Sequence, residues 1–250
     1  MSNDENNEVL LKAENIHKWY GKIHALDGFN FKIHKGEAVG LVGDNGAGKS
    51  TFAKMIAGIH EPNQGTIYWK GERVRINSIK VARKLGIETV YQEQALVDEL
   101  SVAYNIFLGR ERTRLKPLGA LDHEKMNEEA SKVIKRLGLN MPPTQEVRFC
   151  SGGERQGVAV ARAILFKANL VILDEPTRAL SAKGVKRIME FIRDLKDKGI
   201  AVILISHIFP QIFPVTDRFV ILSRGVKVTE KAQKETSSDE LTELVMEGEQ

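Results

Sequence analysis

A glycine-rich segment that ends in lysine and serine has the residue types of a phosphate-binding loop. Residues 43–50 read GDNGAGKS and fit the pattern G-x-x-x-x-G-K-[ST]. Glycines let the backbone fold closely around phosphates so that its N–H groups point inward, and a following helix adds the positive end of its dipole. In such a loop Lys49 neutralises the β- and γ-phosphates, and Ser50 binds Mg²⁺. The predicted nucleotide contacts are Gly43, Asp44, Asn45, Gly46, Ala47, Gly48, Lys49, Ser50 and Thr51.

Two adjacent carboxylates follow an apolar segment farther along the chain. Residues 170–175 read LVILDE, which is typical of a buried strand that ends in polar residues. Taken alone, an Asp-Glu pair after a strand is more often a solvated turn, but the phosphate loop upstream favours a catalytic interpretation. In that interpretation Asp174 holds Mg²⁺ and Glu175 polarises the attacking water. The pair resembles a Walker B motif and predicts hydrolysis of the bound nucleotide.

The residues around the phosphate loop have the patterns of a strand and a helix, as the motif requires. Residues 38–42 are almost wholly apolar, which is typical of a strand buried on both faces of a parallel sheet. Apolar residues recur at helical spacing in residues 52–56, and Gly58 is a suitable C-terminal cap. This context favours a phosphate site over a glycine-rich turn that matches by chance.

The rest of the chain predicts the architecture around that site. Residues 29–34 alternate as a strand does, and residues 65–74 and 219–228 have the pattern of hairpins. From residue 170 onward a strand, an amphipathic helix and a strand follow one another, which predicts a parallel crossover. The predicted fold is an α/β P-loop NTPase core, a parallel sheet flanked by helices, with an antiparallel β subdomain. A charged tail is expected at the end of the chain.

A helical lobe is predicted within this single domain of residues 1–250. Residues 101–138 have helical patterns with charged stretches, which indicates an insertion between two parts of the core. The core is expected to cover about residues 1–92 and 151–245, and the lobe about residues 93–150.

Composition is that of an ordinary globular protein, with 42% hydrophobic and 28% charged residues. No apolar run approaches the roughly 18 residues of a membrane-spanning helix, and the polar N-terminus does not resemble a signal peptide, so a cytoplasmic location is expected. Cys150 is the one cysteine, which excludes an intramolecular disulfide and a cysteine-based zinc site. The 37 basic and 33 acidic residues form no basic stripe, so no nucleic-acid partner is expected.

The segment before the two carboxylates carries a family resemblance. Residues 151–156 read SGGERQ, and a Ser-Gly-Gly turn that opens a helix over residues 155–166 is a second anion-binding helix end. With this segment the chain resembles the nucleotide-binding domains of ABC transporters, whose signature is usually Leu-Ser-Gly-Gly-Gln. The resemblance covers about residues 9–245 and implies ATP hydrolysis by two copies packed head-to-tail. The signature of one copy would complete the other copy's ATP site through Ser151, Gly152, Gly153 and Glu154.

Three more residues match the family pattern. Gln92 falls where the Q-loop glutamine would reach Mg²⁺ and the lytic water, and His207 matches the switch histidine that contacts the γ-phosphate. Tyr20 resembles the A-loop aromatic that stacks on adenine. Without the family pattern these would be a polar strand end, a structural histidine and a core tyrosine. The implied catalytic residues are Glu175, His207, Gln92 and Lys49, and the implied metal ligands are Ser50, Gln92 and Asp174.

The chain departs from the family pattern at three positions. Cys150 stands where leucine is usual, which is an exchange of one apolar side chain for another. Glu154 replaces the signature glutamine. Ser181 stands where the D-loop aspartate usually helps to join the two ATP sites, so the resemblance does not fix how those sites communicate.

Within the family the chain is most similar to the ATPases of simple-sugar importers, such as those for ribose, xylose, galactose or fructose. Residues 90–96, 105–111 and 151–163 carry that similarity. Such ATPases often contain two fused halves, whereas this chain has one, so a homodimer is the simplest expectation. The implied cofactors are ATP and Mg²⁺. The implied partners are membrane-spanning permease subunits and, indirectly, a substrate-binding protein, at the inner face of the cell membrane.

Other classes of ABC ATPase predict other sequence features. ABC ATPases of DNA repair or chromosome organisation carry a long coiled coil between the Q-loop and the signature, and residues 93–150 are too few for one. Translation-type ABC proteins normally have two ATPase cores in one chain. A module that only binds ATP has no use for Glu175 and His207, so their presence favours hydrolysis. An exporter ATPase is the alternative that the residue patterns leave open.

Overall fold

The computed structural model describes residues 8–90, 96–115, 119–166, 168–177 and 181–247. The strands are β1 Val9–Tyr20, β2 Ile23–His34, β3 Ala38–Val42, β4 Gln64–Trp69, β5 Glu72–Val74, β6 Ile87–Val90, β7 Thr113–Leu115, β8 Ala120–Leu121, β9 Leu170–Asp174, β10 Ala201–Ile205, β11 Arg218–Ser223 and β12 Val226–Ala232. The helices are α1 Lys49–Ile56, α2 Ile79–Leu85, α3 Val102–Phe107, α4 His123–Arg136, α5 Gly152–Leu165, α6 Ala182–Asp197, α7 Phe209–Ile212 and α8 Ser238–Glu247.

The central sheet has the strand order β12-β11-β3-β10-β9-β6, and its strands are parallel except for β12. Both β3 and β10 are buried along their whole length, as their uninterrupted apolar sequences predict. Ile205 of β10 lies level with Leu41 of β3 and with Asp174 of β9. The carboxyl ends of these strands therefore meet at one edge of the sheet, where open α/β sheets bind their ligands. The α/β core is confirmed.

A second, antiparallel sheet with the order β2-β1-β4-β5 lies against the helix that follows the phosphate loop. The ring of Phe52 in α1 packs against Phe29 and Phe31 of β2, at centroid distances of 4.9 and 5.0 Å. Lys70 and Gly71 join β4 to β5 with φ angles of 50° and 81°. Such left-handed pairs make the tight turns that suit twisted hairpins, and the hairpin predicted over residues 65–74 is confirmed.

The lobe consists of α3, α4 and α5 around a buried apolar cluster that includes Phe107, Ile134 and Val158. Between α3 and α4 the structure also contains a short hairpin of β7 and β8, where the sequence predicts only helix. Arg112 pairs with Glu129, and Arg114 pairs with Asp122. These ion pairs attach the hairpin to α4. Two strands this short show no apolar periodicity, so the sequence does not predict them.

The C-terminal residues form a helix rather than the charged tail that the sequence suggests. Leu241 of α8 is fully buried, and Leu244 and Val245 pack with it against the core. The three apolar residues recur at helical spacing, so one narrow stripe among charged residues is enough to hold α8 in place. Among the described residues, no helix is both long enough and apolar enough to cross a membrane.

Asn105 fixes the segment that leads from the core into the lobe. Its buried amide Nδ2 donates to the carbonyls of Val97, Leu100 and Ser101 at 2.9 to 3.1 Å, and its Oδ1 accepts the Val97 N–H at 2.8 Å. Arg162 of α5 donates twice to the Asn105 carbonyl. One side chain thus provides hydrogen-bond partners for a whole turn of irregular backbone.

Asn105→Ala is therefore expected to lower the free energy of unfolding by about 1–3 kcal/mol, because it leaves the Val97 N–H without its partner and removes the second donor from three carbonyls that each keep one backbone donor. Urea unfolding followed by circular dichroism measures the loss. Asn140→Ala, at an exposed position of the same lobe, is the matched control and should unfold at the wild-type midpoint. An Asn105 variant as stable as that control would show that water replaces the lost contacts.

Candidate functional site

Glycines are required by the shape of the loop between β3 and α1. Gly43, Gly46 and Gly48 have φ angles of 141°, 85° and 105°, which side chains strongly disfavour. A Cβ atom at Gly43 would lie 2.1 Å from the Leu222 carbonyl oxygen, and one at Gly48 would lie 2.7 Å from the Ala25 carbonyl oxygen. The loop therefore folds more tightly than a chain with side chains at these positions could.

Lys49 lies at the start of α1 with only 8% of its surface exposed. Its Nζ donates to the carbonyl oxygens of Gly43 and Asp44, both at 2.6 Å, so the ammonium group lies over the loop. Burial lowers the pKa of Lys49, while the nearby negative charges of Glu175, Asp44 and Asp174 act in the opposite direction. No side chain caps the first turn of α1, where backbone N–H groups and the helix dipole favour an anion. The loop has the charge and the donors to bind phosphates.

The two carboxylates lie at the carboxyl end of β9. Burial and the charge of Glu175 raise the pKa of Asp174 above its usual value, and Lys49 opposes that rise. Glu175 has a left-handed φ of 51°, which is uncommon for a residue with a side chain and costs about 1–2 kcal/mol. Its N–H donates to the Ile205 carbonyl at 2.9 Å, so strand β10 holds this conformation. Strain of this kind is often found at functional sites.

His207 contacts Glu175 directly. The Nδ1 of His207 lies 2.7 Å from Glu175 Oε1, and the His207 N–H donates to the same oxygen at 3.2 Å. The Ser206 hydroxyl donates to Oε2 at 3.4 Å. The Glu175 side chain is 10% exposed and that of His207 is 61% exposed. A largely covered carboxylate is thus oriented by an imidazole that reaches solvent.

These groups share one cavity of about 790 Å³. Its lining includes the following residues predicted from the sequence: Gly43, Asp44, Asn45, Gly46, Ala47, Gly48, Lys49, Ser50, Thr51, Asp174, Glu175 and His207. The sequence did not predict the contribution of Phe209, nor that of Thr242, Val245 and Met246 on α8. The helical spacing of Leu241, Leu244 and Val245 is the signal that could have identified α8 as an ordered wall of the cavity.

The signature residues line a second, separate pocket of about 370 Å³. Ser151 caps α5, and its N–H and O–H donate to Glu154 Oε2 at 2.8 and 2.9 Å, while the Glu154 N–H donates back to Ser151 Oγ at 3.3 Å. Ser181 on the same pocket caps α6 by accepting the Gly184 N–H at 3.3 Å. Serine and aspartate serve equally well as N-caps. Ser181 therefore still caps the start of α6 although it departs from the family pattern.

Of the remaining predicted residues, Tyr20 does not line the main cavity and Gln92 is not among the described residues. Tyr20, 39% exposed, packs its ring edge-on against His60 and lies beneath the Lys18 ammonium group, and it is not among the residues that line the cavity. Gln92 lies outside the described residues, as do residues 178–180 that precede Ser181. The adenine contact of Tyr20 and the metal contact of Gln92 stay predictions.

Comparison with known proteins agrees with this geometry. The sequence model of the ABC transporter family matches residues 26–178. The chain is 44% identical over 237 residues to a xylose/arabinose import ATP-binding protein of Sulfolobus acidocaldarius, covering 94% of this chain and 93% of that protein. It is 43% identical over 224 residues to a fructose import ATP-binding protein of Rhizobium meliloti, covering 87% and 86% of the two chains.

A third relative differs in length. The chain is 36% identical over 239 residues to a ribose import ATP-binding protein of Caldanaerobacter subterraneus subsp. tengcongensis, covering 96% of this chain but 48% of that protein. The chain therefore spans about half the length of this relative, whereas it matches the xylose/arabinose and fructose relatives over most of theirs.

Solved structures show the same fold. An ATP-binding cassette of an ABC transporter superposes with a TM-score of 0.84 at 25% identity, covering 97% of this chain and 99% of that one. A dimeric cassette in a post-hydrolysis state with ADP and Pi superposes with a TM-score of 0.78 at 26% identity, covering 91% of this chain and 100% of that one. With a family match over more than half of its length, and with a phosphate loop and paired carboxylates in one cavity, this chain belongs to the ABC transporter family as an ATP-hydrolysing subunit.

Proposed function

We propose that this chain energises the import of a monosaccharide by hydrolysing MgATP between two head-to-tail copies. The observation that carries the proposal is the division of the ATP-binding groups between two pockets. The phosphate loop and Glu175 line one pocket, and the signature turn that also suits a phosphate lines the other. A single copy thus presents two half-sites, and a second copy related by a twofold axis would unite each with its complement.

In the proposed ATP complex, Lys49 exchanges its bonds to the Gly43 and Asp44 carbonyls for bonds to the β- and γ-phosphates. The hydroxyl of Ser50 and the carboxylate of Asp174 line the same cavity, and hard oxygen donors of this kind suit Mg²⁺. Bound Mg²⁺ would neutralise charge that develops on the phosphates. The loop N–H groups and Lys49 would orient the γ-phosphate for in-line attack.

Glu175 is the residue placed to orient the attacking water. Its side chain lines the cavity and is held by contacts from the Ser206 hydroxyl and from His207. We expect His207 to turn toward the γ-phosphate when ATP binds, because most of its side chain is free of packing. That movement would leave Glu175 available to accept hydrogen bonds from water.

The proposed dimer predicts a specific effect of Ser151→Arg. The substitution should spare ATP binding by the monomer but weaken ATP-dependent dimerisation about tenfold or more, because overpacking a tight contact costs about 1–3 kcal/mol. Sedimentation velocity with ATP, in a Glu175→Gln background that preserves the nucleotide, measures the change. Asn140→Arg adds the same side chain at an exposed site of the lobe and is the control. Unimpaired dimerisation of the Ser151 variant would contradict the composite site.

The proposed substrate class rests on the relatives. Proteins named for the import of xylose and arabinose or of fructose share 43–44% of their residues with this chain over most of their length. Transported substrate would contact membrane-spanning subunits and a binding protein rather than this chain, so the particular sugar is not encoded in its ATP site. In the proposed assembly the chain lies at the cytoplasmic face of the cell membrane.

Affinity purification from membranes of the native organism tests this assembly. The chain should co-purify with membrane-spanning permease subunits and with a substrate-binding protein that binds a monosaccharide. Recovery of permease subunits that work without any binding protein would favour export. Recovery of nucleic acid or ribosomes in place of membrane proteins would contradict a transport function.

A further inference from the structure

Three metal-ligating side chains meet on the hairpin of β1 and β2. His17 lies on β1, and His24 and Asp27 lie on β2. One ligand atom from each of the three lies within 4.8 Å of the other two. None of the three side chains lines the ATP cavity in the described part of the chain. We propose that His17, His24 and Asp27 form a separate binding site for a transition-metal dication of the Zn²⁺ class.

The distances between the ligand atoms suit a tetrahedral ion. Ligands about 2.0–2.1 Å from Zn²⁺ in tetrahedral geometry lie about 3.3–3.4 Å from one another. The Nδ1 of His17 lies 3.4 Å from the Nε2 of His24 and 3.3 Å from the Oδ1 of Asp27. All three ligand atoms lie within 4.8 Å of one another, and His24 Nδ1 lies 3.6 Å from Asp27 Oδ2. A small turn of the His24 and Asp27 side chains would bring three ligands to a tetrahedral ion, and water would take the fourth position.

The outer contacts of His17 prepare its Nδ1 for a metal. The Nε2 of His17 lies 3.1 Å from the Oδ1 of Asn15, which can only accept, so Nε2 carries the ring hydrogen. The Gly28 N–H donates to Nδ1 at 3.3 Å, so Nδ1 carries a lone pair, and a metal ion would take this lone pair in place of that long hydrogen bond. An imidazole that donates its other N–H to a neighbouring oxygen is the usual arrangement around protein-bound metals. Asn15 has a φ of 49°, a conformation that asparagine tolerates well.

Trp19 restrains the rings of both histidines. Its indole stacks on His24 with a centroid distance of 4.2 Å and an interplanar angle of 9°, and on His17 at 5.5 Å and 6°. Because the indole already restricts both imidazoles, they lose less rotational freedom when a metal binds. The side chains of His17, His24 and Asp27 are 17%, 31% and 51% exposed, so an ion can reach the site from solvent.

The ligand set separates this ion from the Mg²⁺ of the ATP site. Imidazole nitrogen suits Zn²⁺, Ni²⁺ and Cu²⁺, whereas Mg²⁺ takes oxygen ligands and keeps much of its water. Two imidazoles and a carboxylate therefore select Zn²⁺-class ions in the presence of MgATP. The backbone anchors the site as well, because the Asp27 N–H donates to the Gly225 carbonyl at 2.9 Å.

Isothermal titration calorimetry of the full chain with ZnCl₂ tests the proposal, without nucleotide and without a histidine tag. Wild type should bind one Zn²⁺ per chain and should show no comparable heat with MgCl₂. His24→Gln and Asp27→Asn should weaken Zn²⁺ binding at least about tenfold, and Asn15→Gly, which removes only the outer contact, about tenfold or more. His123→Gln, in the lobe, removes a histidine outside the cluster and should bind Zn²⁺ as wild type does.

Two results would overturn the proposal. One is the absence of Zn²⁺ binding by wild type, and the other is equal Zn²⁺ affinity in wild type, His24→Gln and Asp27→Asn. Thermal unfolding in the absence of metal checks each variant's fold. Asp27→Asn decides the question even if a histidine variant is unstable, because the Asp27 side chain is half-exposed and its exchange conserves shape.

Discussion

Replacing Glu175 with glutamine should stop steady-state ATP hydrolysis while ATP binding persists. Glutamine keeps the shape of the side chain and one oxygen that can accept the His207 N–H, but it loses the negative charge that orients water. A general base contributes about 10²–10⁴-fold to a rate, so phosphate release should fall at least about 100-fold. Phosphate release and calorimetric ATP affinity, measured on the same sample, separate the chemical step from binding.

A matched control for this substitution is Glu72→Gln, which makes the same exchange at an exposed residue of β5. The control should hydrolyse ATP at the wild-type rate. Hydrolysis by the Glu175 variant at a rate close to that of the control would remove Glu175 from the catalytic role and would point to another base in the cavity.

Lys49→Ala should weaken ATP binding itself by about 100-fold. Hydrogen bonds to charged groups contribute about 1.5–3 kcal/mol each, and loss of about 3 kcal/mol corresponds to roughly two orders of magnitude in Kd. Among the described residues Lys49 is the only lysine that lines the cavity, so no second lysine there can take over its contacts. Calorimetric titration with MgATP measures the loss.

Lys84→Ala removes an exposed lysine from α2 and is the control for a general effect of charge. It should bind ATP as wild type does. If Lys49→Ala also retained wild-type affinity, the backbone N–H groups alone would account for phosphate binding and the proposed role of Lys49 would be wrong.

The ATP cavity was predictable because its residues depend on local sequence and on one rule of sheet geometry. The phosphate loop and the Asp-Glu pair each follow an apolar strand, and parallel strands bring their carboxyl ends together. His207 follows β10 for the same reason, and the register of Asp174 with Ile205 places all three groups at one edge. The apolar spacing of α8 indicates a packed helix, but its place on the cavity wall depends on how the whole chain folds, which local patterns do not specify.

The cluster of His17, His24 and Asp27 could not be predicted from spacing. The pairing of β1 with β2 is interrupted by register shifts between Ile16 and Lys18 and between Lys18 and Trp19. His17 and Trp19 share a face by ordinary alternation, but His24 and Asp27 are three residues apart. Such irregularities let both of these residues reach the same neighbour, His17. The positions of bulges follow from packing of the whole sheet rather than from the residues of one strand.

The replacement of the signature glutamine by Glu154 has a local explanation. In the structure its carboxylate accepts two hydrogen bonds from Ser151, which completes a capping box at the start of α5. Glutamine and glutamate both fit the third position of that motif, so either residue keeps the start of the helix. A contact between Glu154 and the nucleotide of a partner copy stays a prediction, and it would require the carboxylate to leave these bonds.

Sugar uptake by the reconstituted transporter tests the central claim most directly. Membrane complexes purified through this chain are placed in vesicles with ATP at the face that carries it, and labelled xylose, ribose, fructose or galactose is added on the opposite side with the co-purified binding protein. The account predicts ATP-dependent accumulation of at least one sugar, and none with Glu175→Gln. ATP hydrolysis without accumulation of any of these sugars, or with movement of substrate away from the ATP-containing face, would contradict a monosaccharide importer.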